Sequence, residues 1–183
     1  YQGDISRSTP ALSDLNNVEQ LIDSLQIRRG NPTLKMSTVY NNTLNFDYRK
    51  GLFSGSLYLL YQYQRKPNME ETIRENDLFI RTIANQRSWQ KLNPEIEVKV
   101  GPFKDILSLS VTTGINYFDS RGHNYHHTYT NWYYRASIMA SYKNWSSFFE
   151  IQNHRNDFYG ETLRYGENYH ILGINYRYKQ LTA

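Results

Sequence analysis

Three histidines crowded into Gly122-His123-Asn124-Tyr125-His126-His127 are the residues whose type and spacing most readily suggest metal chemistry. Imidazoles hold zinc when carboxylate or thiolate partners stand at a suitable offset. No partner stands at a known spacing here and the chain has no cysteine, so a solvated loop is the expectation. A second set comprises the carboxylates Glu95, Glu97 and Glu150 and the bases Lys99, Arg135 and Arg177. Carboxylates and bases can move protons, but these lie in no nucleophile, phosphate-loop or His-Glu-x-x-His motif. No catalytic group, cofactor site or metal site is expected, and the chain is read as a non-enzyme. Together with Asn45, Asp47 and Asn175, these charged residues suit the lining of a wet interior, where they pair across strands or touch whatever fills it.

The elements that must position them are strands. In 38–48, Tyr40, Leu44, Phe46 and Tyr48 share one parity, and Asn41, Thr43, Asn45 and Asp47 share the other. In 107–117, Leu107, Leu109, Val111, Ile115 and Tyr117 alternate with Ser108, Ser110, Thr112, Gly114 and Asn116. The pattern recurs in 53–64, 95–100, 132–142, 145–152 and 170–178. Successive side chains of a strand point to opposite faces, so each segment has one apolar and one polar side. The stretch 78–94 is less regular, and Pro94, which has no N–H for a ladder, predicts a bulge or interruption.

Composition points the same way. Seventeen tyrosines, eight phenylalanines and three tryptophans sit in a chain of 183 residues, yet its mean hydropathy is −0.74. Such a chain suits a wall with unlike faces better than a soluble core. No stretch approaches the roughly 18 apolar residues of a helical span, so any membrane crossing must use strands. Most segments run about 11–14 residues, against the roughly 9–11 that a tilted membrane strand needs. The net charge of +4, interspersed rather than blocked, fits a solvated surface with some attraction to lipopolysaccharide. The chain opens at Tyr1 without an initiator methionine, so any signal peptide is expected to lie outside it.

Connections add direction. Lys50-Gly51, Gly101-Pro102 and Lys143-Asn144 predict tight turns, whereas 8–35, 66–77, 119–127 and 156–166 predict long connections. Short alternating with long is the habit of an up-and-down outer-membrane barrel, with turns inside and loops outside. Aromatics gather by the turns: Tyr48 with Phe53, Phe103, Tyr142 with Trp145, and Tyr176 with Tyr178. Amphipathic rings favour the headgroup level, so these predict an interfacial girdle. The fold expected is all-β, an antiparallel up-and-down transmembrane β-barrel of seven strands plus a stub at 1–7. A five-stranded oligonucleotide-binding barrel has no reason for alternating loop lengths, and no nucleic-acid partner is expected.

The most specific motif lies at 7–36. Arg7-Ser8-Thr9-Pro10-Ala11-Leu12-Ser13-Asp14 is followed by Arg28-Arg29-Gly30-Asn31-Pro32-Thr33-Leu34-Lys35. Gly30-Asn31-Pro32 is a turn signal, and Ser13-Asp14 predicts a capped helical turn through 14–23. The motif resembles the barrel of TonB-dependent receptors, the outer-membrane β-barrel family of the Bacteroidetes type, in its C-terminal part. That family usually continues with Pro-Glu where this chain has Met36-Ser37. Asn131-Trp132-Tyr133-Tyr134, Tyr142-Lys143-Asn144-Trp145 and Gly160-Glu161 are similar to it as well.

The resemblance implies a fragment of a larger barrel: one domain over 1–183, with an extracellular loop at 8–35, seven meander strands over 36–183 and no plug domain. Residues 179–183 would form an inner turn. It further implies uptake of an external siderophore, glycan or similar small molecule, energised by the TonB complex through an N-terminal part, with a surface lipoprotein as a further partner. A small eight-stranded barrel for adhesion or envelope structure is the second expectation, and a soluble lipocalin-like ligand-binding barrel the third.

Overall fold

The computed structural model describes residues 1–178; the inner turn expected at 179–183 lies outside them. In chain order the elements are β1 (Gln2–Ser8), helix α1 (Leu12–Leu15), β2 (Gln20–Leu21), β3 (Gln26–Arg28), β4 (Ser37–Lys50), β5 (Phe53–Arg65), β6 (Asn68–Glu75), β7 (Leu78–Asn85), β8 (Ser88–Phe103), β9 (Leu107–Arg121), β10 (His126–Tyr142), β11 (Trp145–Gln152), β12 (Asp157–Tyr159), β13 (Thr162–Arg164) and β14 (Tyr169–Tyr176). Eight of them form one antiparallel sheet in the order β1-β4-β5-β8-β9-β10-β11-β14. Each is hydrogen-bonded to the next, as an up-and-down wall requires. The sheet is open, with β1 and β14 as its two edges. The stub at 1–7 is thus a full member, paired from Gln2↔Thr43 to Ser8↔Ser37.

The register carries the alternation across the strands. Tyr48, Gly55, Val98, Val111, Ala136 and Ile151 form one cross-strand row, and Val100, Leu109, Ile138, Phe149 and Leu172 another. Directly paired residues point to the same face, so these rows merge into a continuous apolar surface. It is uncovered: Phe46, Val111, Ile138, Leu172 and Ile174 are all exposed. Along β10 this surface runs from Trp132 to Tyr142. That is about 33 Å of strand, or about 25 Å of height at a barrel tilt of about 40°, the height of a membrane's apolar band. Aromatic rings meet at its turn side, Tyr48 with Phe53 at 6.3 Å and Trp145 with Tyr176 at 4.6 Å.

Three connections at one end are tight: Gly51-Leu52, 104–106 and Lys143-Asn144. Gly51 sits at φ +58° with open space around it. A β-branched side chain there meets only the backbone penalty of the left-handed region. Gly51→Val should therefore lower stability by about 1–2 kcal/mol with unchanged surface burial, read as a shifted denaturation midpoint at constant slope.

Several sequence expectations need correction. Gly101-Pro102 is not the turn but lies inside β8, where the pairing shifts register between Val100 and Phe103; the turn follows at 104–106. The interruption foreseen at Pro94 is present in one ladder only, and β8 runs on through it. It costs only the rungs to β9 at Asn93 and Pro94, and the register is the same on both sides. The irregular stretch 78–94 is two elements: β7 belongs to a separate sheet, and the wall strand begins at Ser88. The connection at 66–77 is accordingly occupied by β6, which pairs with β7 as a hairpin. The connection at 119–127 shrinks to 122–125, because β9 and β10 stay zipped to Arg121↔His126. No helix runs through 14–23: α1 covers only Leu12–Leu15, and Ala11 caps it without a side-chain bond. Ser13 falls inside α1 rather than at its cap, and the backbone turns extended at Asn16, which ends the helix after one turn.

The longer connections are ordered. β3 from the first pairs in parallel with β7 from the second, giving a four-stranded sheet β2-β3-β7-β6. The turn foreseen at Gly30-Asn31-Pro32 is the clasp between them. Asn31 Nδ2 donates to Ile83 O at 3.1 Å, and its Oδ1 accepts from Thr33 N and Oγ1. Asn85 accepts from Lys35 N at 2.7 Å.

Candidate functional site: the polar face and the segment folded over it

The face opposite the apolar surface collects the charged residues foreseen from parity. Asn45 and Glu95 share one row, running Asn45-Tyr58-Glu95-Gly114-Tyr133. Asp47, Glu97 and Arg135 share the next, Asp47-Ser56-Glu97-Thr112-Arg135-Gln152-Tyr169. Lys99 and Glu150 share the third, with Ser54, Ser110 and Ser137 between and beside them. Asn175 pairs with Ser146 on the same face. Arg177 stands just beyond β14, its N–H donating to Asn144 O at 2.8 Å. Neighbours neutralise one another: Lys99 Nζ is 3.0 Å from Glu97, and Arg135 Nε is 3.9 Å from Glu150 and 2.9 Å from Gln152 Oε1.

Glu95, Glu97 and Arg135 come together around a cavity of about 160 Å³, with Thr112, Tyr133, Gln152 and Arg155. Asp47 and Lys99 line a second depression, with Glu97 between them, and Asn175 and Arg177 a third beside the Lys143-Asn144 turn. The nine residues are therefore spread along the face rather than gathered into one site.

Parity alone did not reveal Asn93, Tyr133 and Arg155. Asn93, only 1% exposed, donates to Tyr133 Oη at 2.8 Å and to Ile115 O at 3.0 Å. The Tyr133 hydroxyl in turn donates to Glu95 Oε2 at 2.6 Å. Arg155 closes the group, donating to Asn93 Oδ1 at 3.1 Å, lying 3.6 Å from Glu95 and stacking 4.3 Å above the Tyr133 ring. The one available signal was an aromatic on the polar parity, beside a glycine. Gly114 is opposite Tyr133, and a Cβ there would fall 2.5 Å from the Tyr133 hydroxyl and 2.8 Å from Pro94 O. Gly114→Val should displace the ring and cost about 1–3 kcal/mol, with a chemical-shift or fluorescence change confined to this group. Unchanged stability would show that the ring does not rest on the glycine.

Above this group the polar parity turns apolar. Phe118 (0% exposed), Trp89 and Met69 form a small core with Phe158 from the connection between β11 and β14. Tyr129, Tyr159 and Leu163 flank it. Trp89 Nε1 donates to Phe158 O at 2.9 Å, and Tyr159 Oη donates to Gln64 Oε1 at 3.1 Å. Burial pushes the Tyr159 phenol up to about 12, so it stays protonated and a donor at neutral pH. The raised value means that its stabilisation is complete below pH 10, the ordinary value, and fades as pH climbs through about 12. Proteolysis within 157–164 should accelerate over that window, and Tyr159→Phe should remove this component of the pH response.

The three histidines diverge. His126 Nε2 is 3.2 Å from Asp119, His127 Nε2 is 3.4 Å from Glu161, and the His123 backbone N–H donates to Gln86 Oε1 at 2.9 Å. Asp119 also accepts from Arg121 Nε at 2.9 Å and Nη2 at 3.1 Å.

A sheet with a continuous uncovered apolar face, a polar face lined by paired charges, and strands of membrane-crossing length whose tight turns lie at one end is the wall of a transmembrane β-barrel. Residues 4–170 match the model of the outer membrane protein beta-barrel family, and the chain belongs to that family. Its place is the bacterial outer membrane. A soluble lipocalin-like barrel is thereby set aside. No curated protein and no solved structure matches the chain.

Proposed function

We propose that this chain is part of the wall of a TonB-dependent outer-membrane transporter of the Bacteroidetes type, taking up an external small molecule such as a siderophore or glycan. The observation that carries this reading is the open sheet: eight strands lie side by side, yet β1 and β14 do not pair with each other. Raw edges have no place in lipid, where every backbone group needs an internal partner, so the wall is completed by further strands. The ordered 29–35 clasp, whose sequence resembles that receptor family, supports the same reading.

The polar face is then the lumen, and Asn45, Asp47, Glu95, Glu97, Lys99, Arg135, Glu150, Asn175 and Arg177 line it. The apolar face meets lipid, with lipopolysaccharide outside. The barrel supplies scaffold and binding surface without covalent chemistry, and a TonB complex and a surface lipoprotein are its protein partners. A complete eight-stranded barrel is the second reading, favoured by the strand count, which equals the smallest number such barrels use. The deciding experiment mixes the full-length protein in detergent with the periplasmic domain of TonB. Saturable binding supports the transporter; its absence, in a protein whose own mass leaves room for eight strands only, supports the small barrel.

A further inference from the structure

The connection between β11 and β14, residues 153–168, does not project away from the wall. It lies back over the polar face and reaches β5, four positions along the sheet from β11. That is a lateral span of about 19 Å at strand spacing, far more than joining two neighbouring strands demands.

Its legs are tied to each other. His154 N–H donates to Asn168 Oδ1, Gly166 N–H donates to Asn156 Oδ1 at 3.0 Å, and β12 and β13 zip the tip. As one unit it is fastened to four strands of the wall. Tyr159 reaches Gln64 on β5, and Asp157 lies 3.6 Å from Lys91 on β8. Phe158 enters a socket of Trp89, Phe118 and Tyr129, with ring centroids 6.4 Å from Phe118 and 5.9 Å from Tyr129. Asn156 accepts nothing from β10 but donates to it twice, from N–H to Asn131 Oδ1 at 2.9 Å and from Nδ2 to Tyr129 Oη at 2.6 Å. Arg155 grips Asn93, Glu95 and Tyr133.

Beneath it lies an unusual residue. Asn116 pairs with Asn131, the unchanged register sets it opposite Asn93 where the β8–β9 rung is missing, and the segment bonds Asn93 through Arg155 and Asn131 through Asn156. Asn116, between them, is 1% exposed, and neither its Oδ1 nor its Nδ2 has a hydrogen-bond partner. A buried unpaired amide opposes the closed arrangement, and lifting the segment would return it to water. The attachments thus hold the segment down against the cost of that amide.

We infer that residues 153–168 are a strap that shuts the outer end of the barrel interior, with Phe158 as its peg and Arg155 as its latch, and that its release opens the path along the polar face. This rests on the polar face being the interior. The chain has no cysteine, so an introduced thiol reports on its own position. The test places Asn116→Cys in the full-length protein, cleared of any thiols elsewhere, and treats outer-membrane vesicles with a membrane-impermeant maleimide. With the strap seated, labelling should be slow; adding Arg155→Ala and Phe158→Ala should raise its rate by about tenfold or more, as local opening exposes a protected site. Heat-modifiable migration on gels checks that the barrel stays folded in both proteins. Fast labelling with the strap intact, or slow labelling after both substitutions in a folded barrel, overturns the inference. Thr112→Cys and Val111→Cys in the released background test the underlying reading separately. Labelling of Val111→Cys but not of Thr112→Cys would show that the polar face is not the interior, whatever the strap does.

Discussion

Arginine in place of Val111 is expected to destabilise the barrel in phospholipid by about 2–4 kcal/mol, whereas arginine at the adjacent Thr112 should change stability by less than about 1 kcal/mol. Val111 pairs with Val98 and Ala136 in the middle of the apolar face. A guanidinium there has hydrocarbon around it and no carboxylate in its row, so it must either stay unsolvated or drag water inward. Thr112 points the other way, between Glu97 and Arg135. Arginine at that position has a carboxylate on one side, a like charge on the other and water around both. Reversible denaturant unfolding of the full-length protein in lipid vesicles measures the two values. Equal penalties at neighbouring residues would contradict the assignment of faces, since a single residue of register separates lipid from water.

The second large effect is expected at Phe118. Its ring is fully buried among Trp89 at 6.1 Å, Tyr129 at 6.3 Å and Phe158, with Lys91 Nζ 5.1 Å above it. Phe118→Ala removes the floor of the socket and should cost about 3–5 kcal/mol of local stability, the usual price of emptying a large aromatic site. The loss belongs to the segment over the face rather than to the wall, because the β9 ladder on either side of Phe118 is backbone-made and remains. Limited proteolysis should therefore cut within 153–168 far faster, while the heat-modifiable barrel persists. Loss of the barrel itself would mean that the small core holds up the wall, contrary to its position at one end of the sheet.

Much of the wall could be read directly from residue parity. Leu107 to Tyr117 and Trp132 to Tyr142 state their two faces without help from any neighbour, and the observed pairing puts the foreseen lumen set on one face. The turns at Lys50-Gly51 and Lys143-Asn144 were equally plain, since glycine and asparagine tolerate the left-handed backbone of a tight turn and each pair separates two alternating segments. The turn near Gly101-Pro102 was misplaced for an instructive reason. Glycine and proline mark a departure from regular backbone, and a bulge inside a strand satisfies that as well as a turn does. The segment 66–94 was hard to read because β6 (Asn68–Glu75) and β7 (Leu78–Asn85) lack a clean two-residue alternation, and their pairing with each other and with β3 shows only in space.

The two-faced strand and the tight turns between strands were set by the sequence alone, because each depends on neighbours one to three residues apart. What only the tertiary structure decided is the use of residues that break the local rule. Phe118, Trp89 and Tyr133 occupy polar parity, and nothing nearby in the chain explains them. Their partners are Phe158 and Arg155, which come from a connection dozens of residues later. Such pairing depends on where a long connection lies in space, and a two-residue period carries no information about that.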